Sequence, residues 1–197
     1  MNSLHGFQVM LTNLFKKIKI ILIQFIFIFL IFNQQSLTEA DEINDLEIEG
    51  MSIGESALKY YSKNEIQSNK KNWYKSNKYS SSEIGNLQIT YKTNDPKFVL
   101  VALNKGETMS IDKCKEEIIK IVDEIENVIN KKLDGPSKTK HWADKSNKSY
   151  FISYSYFFPN NDYIAVECYD WSKNVTWNDH LRVSIMKYEF TKFLSKQ

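Results

Sequence analysis

The sequence predicts an α+β fold: an antiparallel sheet of about six strands, arranged as two three-strand meanders, covered by a long amphipathic helix, with short N- and C-terminal helices. Three observations carry this expectation. The stretch from Ser110 to Lys132 repeats apolar residues at three- and four-residue spacing. Six shorter stretches, separated by turn residues, either alternate or run apolar. The order reads helix, three strands, helix, three strands, helix, and strands joined by short turns must pair antiparallel.

Taken in order, Ser52 and Glu55 form a Ser-x-x-Glu capping box, and Ile53, Ala57, Leu58 and Tyr61 share one helical face behind it. Ser62 to Asn77 is polar and reads as a loop. Tyr79–Ile84 and Leu87–Thr93 flank Gly85-Asn86, a two-residue hairpin turn with glycine first. Leu87, Ile89 and Tyr91 alternate with Gln88, Thr90 and Lys92, so one face of that strand is dry. Phe98–Leu103 is apolar on both faces, as a central strand is, and Asn104-Lys105-Gly106 is expected to end it. In the long helix, capped by Ser110, Ile111, Cys114, Ile118, Ile121, Val122, Ile125, Val128 and Ile129 form the stripe that faces the sheet, and Asp134-Gly135-Pro136 stops it. Tyr150–Phe158 and Tyr163–Asp170 flank a Pro159–Asp162 turn. Leu181, Val183 and Ile185 alternate in a last strand, and Phe190, Phe193 and Leu194 mark a closing helix. Residues 41–197 therefore read as a single α+β domain, divided by the repeated order into two helix-plus-meander units at about 50–109 and 110–197.

The first forty residues read as a signal peptide. Lys16, Lys17 and Lys19 precede an apolar run from Ile20 to Phe32, and Thr38 and Ala40 suit a cut before Asp41. A run of thirteen residues, apolar except for Gln24, falls short of the roughly 20 that a spanning helix needs and within the roughly 7–15 of a signal core. The expected product is periplasmic or secreted, with no stable membrane span after signal removal. Met10 is an alternative start.

Composition narrows the function. Of 197 residues 42% are hydrophobic and 25% charged, which excludes a disordered chain. Without three lysines and Glu39, the 26 basic and 24 acidic groups become 23 of each. A neutral domain lacks the basic stripe of a nucleic-acid binder, so no nucleic-acid partner is expected. Arg182 is the single arginine among 25 lysines, and a surface ion pair is its expected role.

No phosphate loop, His-Glu-x-x-His or dinucleotide fingerprint is present. His141 with Asp144 makes too few ligands for a metal site, so neither metal nor cofactor is expected. The last third concentrates aromatic residues, and Trp and Tyr at exposed positions often anchor partners. The candidate binding surface is accordingly Trp171 and Trp177 with His180 on the loop Trp171–His180, together with His141 and Trp142. Packing of both loop tryptophans onto the sheet is the alternative. The expected function is that of an exported, non-enzymatic domain binding a protein, envelope component or small ligand. The alternative is a small hydrolase using His141 or His180.

Ile48–Glu55 and Cys168-Tyr169-Asp170-Trp171-Ser172 resemble uncharacterised exported proteins of AT-rich bacterial genomes, a resemblance that implies export and no activity. The Gly-Met-Ser opening is also similar to small outer-membrane assembly lipoproteins, but the lipid-bearing cysteine is missing and the body is much longer.

The remaining expectation is a disulfide between Cys114 and Cys168. Cys114 lies on the apolar stripe of the helix, and Cys168 shares strand parity with Ile164 and Val166, so both thiols aim into the helix–sheet layer. Two lone cysteines in an oxidising compartment usually pair. Two separately buried thiols are the alternative.

Overall fold

A computed structural model describes residues 43–74 and 77–196; the expected signal segment lies outside them. Eight strands, β1 Lys70–Lys71, β2 Tyr79–Ile84, β3 Leu87–Lys92, β4 Leu100–Thr108, β5 Asp134–Lys140, β6 Tyr150–Phe157, β7 Tyr163–Asp170 and β8 His180–Met186, form one sheet. Its order is β1-β2-β3-β4-β8-β7-β6-β5, and every pair is antiparallel. Three helices accompany it among the described residues: α1 Lys63–Ser68, α2 Ile111–Ile129 and α3 Tyr188–Leu194.

This corrects the expected sheet of six strands in two meanders. Ala102–Thr108 of β4 pairs with His180–Met186 of β8, so the two halves of the chain share a single sheet. The two added strands are its edges, and neither has an apolar alternation to reveal it. β1 is a two-residue Lys-Lys strand, and β5 is exposed at every position. Short or lysine-bearing edges with a proline and a bulge are how sheets avoid pairing with other chains. Within β5, Gly135 has φ 151°, and a Cβ there would lie 2.7 Å from the Ser153 carbonyl oxygen, so only glycine fits the bulge.

The expected N-terminal helix behind Ser52 also gives way. The Gly54 N–H donates to Leu100 O at 2.7 Å and the Leu100 N–H to Glu55 O at 2.8 Å, so this backbone is committed to the start of β4. Only a 3-10 turn, Ala57–Lys59, remains, capped by Ser56. Glu55 accepts from Lys59 and Tyr60 instead of closing a capping box. A short helix, α1, forms where a loop was expected, because Ser62 caps it and Ile66 is fully buried against β2.

Helix α2 follows its pattern except at Val128, which is 56% exposed and lies off the buried stripe. The Ser110 hydroxyl caps the Lys113 N–H, Cys114, Ile118, Val122 and Ile129 are buried, and Asn130 ends the helix in a left-handed conformation that asparagine tolerates. It packs chiefly on β7 and then on β8. The Cys114–Cys168 disulfide ties this layer together, with Sγ atoms 1.99 Å and Cα atoms 5.8 Å apart, and both residues are fully buried. The core therefore sits between α2 and one face of the sheet. Alternation sends the neighbouring residues of each strand to the opposite face. There α3 covers one end, with Phe190 edge-on to Tyr74 and Tyr79 at 5.2 Å each. The remainder of that face holds the candidate site. No described helix is long and apolar enough to cross a membrane.

Candidate functional site

On the face away from α2, strand register stacks three rows of opposed residues. One runs Phe151, Tyr169, His180; the next Ser153, Glu167, Arg182, Gly106; the third Ser184, Asn104, Gln88, Glu83. The loops 141–149 and 171–179 and the Trp73–Tyr74 segment rise around these rows. Together they enclose an open bowl of about 490 Å³, within the roughly 300–1,000 Å³ of small-molecule sites.

All four tryptophans of the chain line it. They arrive from three separate segments, and Trp73, Trp142 and Trp177 are 58%, 81% and 52% exposed. Trp171 lies deeper, 4.3 Å from the His141 ring and 4.6 Å edge-on to Trp177. Its indole N–H is buried without a hydrogen-bond partner. Leaving several indoles uncovered is unfavourable for an isolated domain: covering roughly 100 Å² of one is worth about 2.5 kcal/mol.

The floor is built on Arg182. Its Nε and Nη2 donate to one Glu167 oxygen at 2.9 and 2.6 Å, and Nη2 also donates to the Tyr169 hydroxyl. Tyr169 in turn donates to Glu167 at 3.0 Å. The guanidinium carbon stands 4.7 Å from the Tyr169 ring centre. Burial works against the arginine's charge, and Glu167 and Tyr169 more than offset it. The expected surface ion pair is thus a half-buried network at the centre of the bowl. Tyr169 is itself pressed between rings, with His180 stacked at 4.5 Å and 7° and Phe151 at 5.4 Å and 25°. Burial, chiefly, raises its phenol far above the ordinary range.

Two loops carry the rim, and Asp144 holds them together. It accepts from the backbone N–H groups of Ser146 and Ser149 at 2.8 and 2.9 Å and from the hydroxyls of Ser146, Ser149 and Ser172 at 2.7 to 2.8 Å. These bonds hold its carboxyl well below the usual carboxylate range. Ser172 links the loop bearing Trp171 and Trp177 to the loop bearing His141 and Trp142. The Asp179 carboxylate accepts from the Trp171 backbone N–H at 2.7 Å.

The two imidazoles are oriented oppositely. His141 Nδ1 accepts from the Ala143 N–H at 3.2 Å, so its Nε2 carries the proton. His180 Nδ1 lies 2.9 Å from the Asn178 carbonyl and must donate, leaving Nε2 an acceptor. Burial first, and Arg182 among the charges, lowers both from the ordinary 6.5, so both are neutral at pH 7. Among the described residues neither ring is hydrogen-bonded to a carboxylate or hydroxyl, and no group of three or more His, Cys, Asp or Glu is gathered to hold a metal.

The structure brings Trp171, Trp177, His180, Trp142 and His141 onto this one cavity. The surface expected from the sequence did not include Tyr169, although it belongs to the aromatic-rich last third, nor Trp73, Tyr74, Arg182, Gln88 or Asn104; Asn104 lies within β4, which runs on to Thr108, where a strand end was expected. The rarity of arginine was the available signal. No family model, curated protein or solved structure matches the chain.

Proposed function

We propose that the chain is an exported, non-enzymatic domain that binds a small ligand or envelope component through the tryptophan-lined bowl. The supporting observation is the convergence of all four tryptophans, three of them more than half exposed, around the only arginine. Exposed aromatic side chains ringing a concave, polar-floored surface are the usual make-up of a binding site. Export is supported by the lysine-flanked apolar run Ile20–Phe32 and by the buried Cys114–Cys168 bridge, which suits an oxidising compartment. A hydrolase using His141 or His180 is disfavoured by their hydrogen bonding. His180 donates to a carbonyl, His141 accepts from a backbone N–H, and Asp144, the nearest carboxylate in sequence to His141, is consumed by serines.

The test is retention of material from the host envelope by immobilised protein. Retention is expected to fall sharply in the Trp142→Ala, Trp177→Ala double variant and to survive in the His141→Ala, His180→Ala variant in part. Equal retention by wild type and the tryptophan variant rejects the bowl as the binding surface.

A further inference from the structure

Resting on that reading, we propose that the bowl takes a neutral saccharide, with sugar rings laid on the indoles of Trp142 and Trp177 and hydroxyls bonded to Asn104, His141 and His180. The first support is the state of the floor. Asn104 is only 7% exposed, lines the cavity, and its side-chain amide makes no hydrogen bond among the described residues. An amide that faces the cavity with free donors and acceptors is served by a polar partner, and an apolar ligand would strand it. His141 presents a free Nε2–H and His180 a free Nε2 acceptor. A hydroxyl group both donates and accepts, and so can use both rings and the amide.

The second support is charge. Among the described lining residues Arg182 is the one lysine or arginine, and Glu167 takes both its Nε and an Nη2 bond. Glu83 at the margin has Lys71 at 3.7 Å. An anion would compete with Glu167, and a quaternary ammonium group would be repelled by the guanidinium. The third is shape. The rim indoles keep open faces, and the polarised C–H groups on one side of a pyranose match the negative face of an aromatic ring. Gly106, beside Arg182 in the floor row, leaves the room: a Cβ there would meet nothing nearer than the Leu181 carbonyl oxygen at 4.0 Å.

The experiment is a titration of the full chain followed by tryptophan emission, which reads the bowl because every indole lines it. The test ligands are neutral trisaccharides of glucose, galactose and N-acetylglucosamine, with choline, benzoate and trigalacturonate as charged counterparts. At least one neutral trisaccharide is expected to give a saturable, salt-independent change. Trp177→Ala and Gly106→Val are each expected to weaken it about tenfold or more with the thermal midpoint unchanged, and Trp177→Tyr to recover most of the loss. Saturation by charged ligands only, with the same losses in the variants, overturns the saccharide and leaves the bowl as a binding site. Saturation by none of the six overturns the saccharide too. In that case the bowl reading survives if envelope retention still depends on Trp142 and Trp177, and falls if it does not.

Discussion

On one face of the sheet Leu103, Ile164, Val166, Cys168 and Ile185 are at most 1% exposed, and helix α2 packs over the β7 and β8 members of this set. Next to them on the same strands, Asn104, Ser184, Glu167 and Tyr169 face the other way, with Arg182 and His180 further along β8. The backbone is shared, so the difference lies wholly in side chains and in what covers them. The dry face is closed by a helix and a covalent bridge; the polar face is closed only at one end by α3 and stays open where the indoles gather. Stability should therefore be lost mainly through one face and recognition mainly through the other.

The largest effect expected on that division is loss of the bridge. Cys114→Ser with Cys168→Ser removes a link spanning 54 residues, and should lower unfolding stability in urea by about 4 kcal/mol. Core truncation comes next. Leu103→Ala should destabilise by about 3 kcal/mol, while Gln88→Ala, opposite a neighbouring residue on the polar face, should stay within about 0.5 kcal/mol. Equal losses would erase the distinction between the faces.

Arg182→Met probes where the division fails. It strands Glu167, which is 7% exposed, and is expected to be destabilising by about 2 kcal/mol, less than for a fully buried pair because the guanidinium side chain keeps 37% exposure. Adding Glu167→Gln should recover part of that loss. A loss that the second substitution leaves untouched would mean the pair itself matters little.

Acid should affect the open face in two stages. The folded-state values of His141 and His180 lie below their ordinary 6.5, so the unfolded chain takes up protons first as pH falls below 6.5, and stability declines gently from there. Asp144 is also lowered, so its contribution is complete above the ordinary carboxylate value of 3.8 and is lost only as pH falls further. Thermal midpoints followed by tryptophan emission should show a weak decline below pH 6.5 and a second one below pH 4. A rise on mild acidification would contradict the environment of both imidazoles. The smallest effect is expected for Trp142→Ala, whose indole is 81% exposed, with stability changed by no more than about 0.5 kcal/mol.

The dry face was the more legible of the two. Cys114, Ile118 and Val122 announce a helix stripe by spacing alone, and Cys168 with Ile164 and Val166 announces a strand face by parity, so both thiols are placed in one layer by local pattern. The six-strand expectation failed where pattern is silent. Lys70–Lys71 and Asp134–Lys140 have no apolar face to alternate, because an edge strand facing water needs none. Ser52-x-x-Glu55 failed differently, since a sound local helix signal lost to backbone hydrogen bonds with Leu100, some 45 residues away. In the bowl, Trp171, Trp177 and His180 were legible as a polar loop rich in aromatics. Arg182 and Asn104 were not, because their roles exist only once β4 lies beside β8.

That β4–β8 seam has a kinetic consequence. It joins residues 102–108 to 180–186, contacts nearly 80 positions apart, whereas the hairpins on either side join near neighbours. Pairings of such high sequence separation require long loop closure and form slowly. Trp73 and Asn104 belong to one side of the seam and Trp142, Trp171 and Trp177 to the other. Refolding chains should regain hairpin circular dichroism before they regain the assembled tryptophan environment, and binding competence should appear with the slower phase.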